Sequence, residues 1–181
     1  DLARGIDVPF LHIADAATED VAANVPAGAT VGVIATGATH AIGLYSARLE
    51  RAGYRVAVPV DAGELQAVAE GIAAVKRGEA EAGGHRFARV VAALERRGAD
   101  AIVLGCTEVP PGLAAAGIRP GVPWVDPTDA LARSCAAAWM RASPAARMCP
   151  PLRGSPPSQV VTRPPARSMM GIKGRISNGF R

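Results

Sequence analysis

Along the first 142 residues, blocks of apolar and polar positions follow one another, and the period of the pattern changes from block to block. Runs that are apolar at nearly every position read as strands: "VPFLHI" (8–13), "TVGVIAT" (30–36), "YRVAVP" (54–59), "DAIVLG" (100–105) and "VPWV" (122–125). Such continuous runs suit strands covered on both faces. Between them, apolar residues recur at helical spacing. The predicted helices are "ADAATEDVAANV" (14–25), "THAIGLYSARLERAG" (39–53), a long segment over 61–78, "HRFARVVAALERRGA" (85–99) and "DPTDALARSCAAAWMRA" (126–142).

Local chemistry marks several ends. Gly53 reads as a C′ stop, Asp61 as an N-cap, and Asp126 as a cap before Pro127 at a first helical position. Gly83-Gly84 reads as a break between helices. Strand and helix alternate, which predicts an α/β fold: a parallel sheet with helices on both faces and right-handed crossovers. Ligands of such sheets gather beyond the carboxyl ends of the strands. Two turns at that edge carry chemistry, "ATGATH" (35–40) and "GCTEVP" (105–110).

Composition changes the picture at the C-terminus. Residues 143–181 hold seven Lys and Arg and no Asp or Glu, in a Pro- and Ser-rich run without periodicity. That segment reads as a disordered tail, because it cannot bury enough apolar surface to offset the entropy of ordering. The whole chain has 20 basic and 16 acidic residues, so residues 1–142 carry 13 basic against 16 acidic. The basic character belongs to the tail, and the body offers no nucleic-acid footprint. No apolar stretch is long enough to span a bilayer, and no signal peptide opens the chain.

The cysteines are Cys106, Cys135 and Cys149, three residues without a CxxC pair. This argues against a disulfide framework or a structural zinc site, and makes a reducing, cytoplasmic setting the default. Cys135 reads as core packing in a helix, and Cys149 as an incidental thiol of the tail. Cys106 sits where a strand ends and a helix begins, a position expected to lower a thiol pKa. A thiolate there can be a nucleophile, a metal ligand or a general base, with Thr107 and Glu108 beside it. The plainer alternative is a small buried hydrophobe. In "ATGATH", Thr36 and Thr39 with free N–H groups make a plausible anion cradle; the alternative is an ordinary turn with Thr39 as N-cap. His12, His40 and His85 form no ligand cluster, and only His40 lies beside a loaded turn.

The segments "VGVIATGATHAIGLY", "GADAIVLGCTEVP" and "VPWVDPTDALA" resemble, in order and spacing, the C-terminal half of the aspartate/glutamate racemase family. The opening "VPFLHIADAATEDV" resembles the segment just before the family's second domain. The resemblance covers residues 1–142. It implies two facing α/β domains, no cofactor, and two cysteines that flank the substrate α-carbon, one removing a proton and the other returning one. Cys106 matches the second of these cysteines. Thr36, Thr39, Lys76, Thr107 and Glu108 match substrate-binding positions, Lys76 being the only lysine before the tail. The "CTE" of 106–108 is the aspartate-type form, where glutamate racemases carry "CTH". Ala38 and Ile42 depart from the family's glycine and serine.

On this resemblance, residues 1–16 are a remnant of the first racemase domain and 17–126 the second domain. Residues 127–142 are a helix returning to the first domain, and 143–181 the tail. The first cysteine and its half are expected to be absent, the 181 residues being a truncated chain. The implied function is a cofactor-independent amino-acid racemase acting on a small amino acid or dicarboxylate, with no nucleic-acid or membrane partner and a homodimer as an option. The alternatives are a decarboxylase or maleate-isomerase-like relative on the same scaffold, or a non-catalytic carboxylate-binding chain.

Overall fold

In the computed structural model, which describes residues 10–142, β1 (Thr30–Ile34) and β3 (Ala101–Leu104) pair in parallel at the centre of a four-stranded sheet. The outer strands are β2 (Arg55–Ala57) beside β1 and β4 (Trp124–Val125) beside β3, both parallel. All four residues of β3 are buried. Side chains alternate across the sheet. Val31, Val33, Ala101 and Val103 enter one core, with Val21, Tyr45, Leu49 and Val125. Ile34, Ile102 and Leu104 enter the other, with Phe87, Val90, Leu94, Val109 and Leu113. Two apolar faces per strand explain the continuous runs in the sequence.

The first core is closed by α1 (Ile13–Asn24), α3 (Ser46–Arg51) and α7 (Pro127–Ala142). The second is closed by α4 (Ala62–Lys76), α5 (Ala80–Arg96) and α6 (Val109–Ala115). Asp61 caps α4 by accepting from the Glu64 N–H at 2.7 Å, as its sequence position predicts. Asp126 accepts from the Thr128 N–H at 2.9 Å, and Pro127 opens α7. Gly53 has φ +88°, the left-handed turn expected after a helix. Among the described residues, no helix is long and apolar enough to cross a membrane.

Three expectations fail, each for a local reason. The strand over 8–13 is not formed where it can be seen. Residues 8 and 9 lie outside the described residues, 10–12 join no strand, and Ile13 opens α1. His12 diverts the chain into helix, its ring accepting from the Ala14 N–H at 3.1 Å and its carbonyl accepting from Asp15 and Ala16.

The predicted helix over 39–53 is two short helices, α2 (Gly37–Ala41) and α3, because Gly43 takes φ +63° between them.

Gly83-Gly84 does not break a helix; α5 runs through both. A Cβ on Gly84 would strike the Gly112 carbonyl and lie 2.7 Å from Ala116 Cβ, and one on Gly83 would lie 2.6 Å from Val75 Cγ2. These glycines let α4, α5 and α6 approach closely, with the Phe87 ring wedged between Gly71 and Gly112. The tail over 143–181, with Cys149, lies outside the described residues.

Candidate functional site

The strand order β2-β1-β3-β4 makes the chain leave β1 and β3 toward opposite sides of the sheet. The edge formed by their carboxyl ends is where α/β folds place ligands. Ile34 and Leu104 are register partners, and the Gly105 N–H donates to the Ile34 carbonyl at 2.7 Å. The two chains then part. Thr36 and Cys106 each lie two residues past that last register pair, at the same edge.

On the β1 side, Thr36 is the N-cap of α2. Its Oγ1 accepts from the Thr39 N–H at 3.2 Å and lies 2.8 Å from Thr39 Oγ1. The cap is therefore Thr36 rather than Thr39, and the two hydroxyls form one pair. His40 follows in α2. Its Nε2 is buried without a hydrogen-bond partner among the described residues, and burial pushes its pKa down.

On the β3 side, the Cys106 thiol donates to Glu108 Oε2 at 2.9 Å, and Thr107 Oγ1 donates to the same oxygen at 2.9 Å. Glu108 Oε1 faces the ammonium of Lys76 at 3.6 Å. Lys76 is the last residue of α4 and its side chain is 65% exposed, against 17% for Glu108. The structure thus brings together Cys106, Thr107, Glu108 and Lys76, contributed by the β3 loop and the end of α4.

The expected low thiol pKa is not found. Burial, and then the Glu108 carboxylate, push the half-buried Cys106 thiol up to about 11; the Glu108 N–H and Lys76 pull the other way and lose. The helix that follows, α6, has only seven residues, so its dipole offers little compensation. Glu108 is held below the usual carboxylate range, chiefly by the Cys106 hydrogen bond, with Thr107 and Lys76 adding to it against burial. At rest the proton belongs to sulfur and the negative charge to Glu108.

One contributor was missed in the sequence. Tyr45 is 5% exposed and its ring lies over Gly105, where a Cβ would come within 2.8 Å of Cε2. Burial raises its phenol pKa, with the charges of Cys106 and Asp126 adding to the effect. Tyr45 was hidden because it fell within an apparent continuous helix, whereas it stands in the turn before α3. Gly43, two residues earlier, was the available signal.

Other residues lie elsewhere. Cys135 is exposed on α7, not packed in a core, because the face of α7 that meets α1 is built from its neighbours Ala130, Leu131 and Arg133. His12 caps α1, and His85 stands near Glu81 at 3.9 Å. Among the described residues no three His, Cys, Asp or Glu side chains form a metal-binding group. A cavity of about 360 Å³ beneath α6 is lined by Leu104, Pro110, Leu113 and Trp124, and another of about 360 Å³ between α4 and α5 by Asp61, Glu64, Arg89 and Arg96. Neither includes a residue of the Cys106 cluster.

The model of the Asp/Glu/hydantoin racemase family matches residues 1–135. Among solved structures, the chain is similar to an aspartate racemase homologue from Pyrococcus horikoshii OT3, at 24% identity and a TM-score of 0.60, over 76% of this chain and 60% of that one. It is similar to a putative Asp/Glu racemase from Yersinia pestis at 29% identity and a TM-score of 0.57, over 72% of this chain and 56% of that one. The aspartate racemase of Picrophilus torridus matches at 23% identity and a TM-score of 0.58, over 78% of this chain and 58% of that one. The chain therefore spans about three fifths of the length of these structures, 60% of the first.

Proposed function

The chain belongs to the Asp/Glu/hydantoin racemase family, and on that premise we propose that it carries one side of a cofactor-independent, aspartate-type amino-acid racemase centre. The observation that carries this reading is the cluster at the β3 edge: a thiol, a carboxylate, a hydroxyl and an ammonium within hydrogen-bonding or ion-pairing reach of one another.

Inversion at an α-carbon needs an acid and a base on opposite faces. Cys106 supplies one thiol. Among the described residues the other cysteine is Cys135, exposed on α7 and outside the cluster, so the opposite thiol is assigned to chain beyond them. The α-carboxylate of the substrate is assigned to the Thr36–Thr39 pair and the start of α2, with Thr107 on the facing loop. Lys76, exposed and already holding a carboxylate, is assigned to the side-chain carboxylate of an acidic amino acid. Glu108 offers an acceptor for the substrate ammonium. On the same premise, residues 17–126 are the second of two facing domains and 127–142 a helix reaching back to the first.

Calorimetric titration with aspartate, glutamate and alanine tests the substrate class. Aspartate is expected to bind, alanine to bind at least tenfold more weakly, and Lys76→Met to erase that difference. Equal binding of aspartate and alanine, or an unchanged preference in the Lys76→Met protein, contradicts the assignment.

A further inference from the structure

The surroundings of the Cys106 thiol are uneven. Groups from three elements bear on it: Glu108 from its own loop, Lys76 from the end of α4, and Tyr45 from the turn before α3, with Asp126 acting on Tyr45. Glu108 stands in direct contact, at 2.9 Å. Its carboxylate is fixed in place by Thr107 Oγ1 on the same oxygen and by Lys76 on the other. A carboxylate held this way accepts a hydrogen bond from a thiol and repels a thiolate.

We propose that Glu108 is a positioning residue whose carboxylate keeps the Cys106 proton on sulfur, so that Cys106 enters the reaction as the proton-donating thiol. This rests on the two-thiol reading above. In one turnover the α C–H bond breaks as an S–H bond forms on the opposite sulfur. The S–H bond of Cys106 breaks as a new C–H bond forms on its own face. The two sulfurs exchange protonation states, and no proton is gained or lost overall. Cys106 is then a thiolate beside the Glu108 carboxylate, and that repulsion drives the reset, in which Cys106 takes a proton from solvent while the opposite thiol releases one to it. The free protein is thereby biased toward the enantiomer whose α-hydrogen points away from Cys106. Lys76 opposes the bias, because its charge favours the thiolate.

The test is the pH dependence of Cys106 carboxymethylation, followed by peptide mapping in the wild-type chain and in Glu108→Gln, Glu108→Asp and Lys76→Met. The wild-type midpoint is expected at about 11. Glu108→Gln is expected to lower it by about a unit or more, making the reaction at pH 8 roughly tenfold faster or better. Glu108→Asp keeps the charge and is expected to stay nearer the wild type. An unshifted midpoint in a Glu108→Gln protein with native circular dichroism and thermal midpoint overturns the proposal. If that variant does not fold, exposed Lys76 carries the test: slower labelling at pH 9 in Lys76→Met supports the proposal, and an unchanged rate overturns it. Alkylation needs no substrate. A shifted midpoint in a chain that binds no aspartate keeps the role of Glu108 and removes the racemase reading. An unshifted midpoint with aspartate binding intact does the reverse.

Discussion

Gly105 lies against the ring of Tyr45 so closely that a methyl group on its α-carbon would sit 2.8 Å from Cε2 and 3.2 Å from Ala35 Cβ. The residue before the cysteine must therefore be glycine for the β3 edge to hold its present line. Gly105→Ala is expected to cost about 1–3 kcal/mol by overpacking. It should also disturb the loop that carries Cys106. Tyr45→Phe keeps the ring that meets Gly105 and is expected to change stability by less than about 0.5 kcal/mol. Urea unfolding of the two variants checks the contrast, and equal losses would place the constraint elsewhere.

Gly84 makes the same kind of demand inside a helix. A Cβ there would collide with the Gly112 carbonyl of α6. Backbone cannot swing aside as a side chain can. Gly84→Ala is expected to lose about 2 kcal/mol or more, despite alanine's better helix propensity, worth about 1 kcal/mol. Gly37→Ala, with open space around the new methyl, serves as the control. A stabilised Gly84→Ala protein would mean that α5 and α6 are not in the close contact described.

These two glycines show where the sequence was legible and where it was not. The runs "TVGVI" and "AIVL" disclosed buried strands because both faces of β1 and β3 meet helices. The caps at Asp61 and Asp126 were legible because capping is local chemistry. Gly83-Gly84 misled because its cause is non-local: the glycines answer to α4 and α6, not to their own helix. The strand expected at 8–13 failed in its described part because an apolar run does not specify a period until a partner does. At the site, "GCTEVP" disclosed the cysteine and its neighbours. Its effect on the thiol was read with the wrong sign, since burial and Glu108 outweigh a short helix.

The raised thiol pKa has a consequence for stability. Its ordinary value is 9.0 and its folded value about 11. As pH rises from 9 toward 11, the unfolded chain loses this proton while the folded chain keeps it, so stability falls across that window. Tyr45, also raised, adds to the fall. Glu108 acts at the other end. Its folded pKa is depressed, so its contribution is present above the unfolded carboxylate pKa and is lost as pH falls through the folded one. Thermal midpoints of wild type and Cys106→Ala between pH 8 and 11 are expected to converge as pH rises. Parallel curves would mean that the thiol does not titrate differently on folding.

Exposure orders the cysteines without reference to their ionisation. Cys135 is exposed and Cys106 half-buried beneath its hydrogen bond to Glu108. Iodoacetamide at pH 7.5 is expected to label Cys135 well before Cys106, with Cys106 overtaking only when the chain is unfolded or Glu108 is replaced. Mass spectrometry of timed digests reads this directly. Prior labelling of Cys106 in the native wild-type chain would mean that the thiol is not held as described.

Whether Cys106 works on an α-carbon is most directly read by proton NMR of aspartate incubated with the chain in deuterium oxide. A single thiol can remove an α-proton and return a deuteron on its own face, so exchange does not require inversion. The expected result is loss of the α-proton signal from one enantiomer ahead of the other. The rate should climb with pH toward the thiol pKa of about 11, and Cys106→Ser should bring it to the rate of buffer alone. Exchange that persists undiminished in the Cys106→Ser protein, or that never exceeds buffer in the wild-type chain at any pH up to 11, contradicts a role for this thiol in amino-acid racemisation.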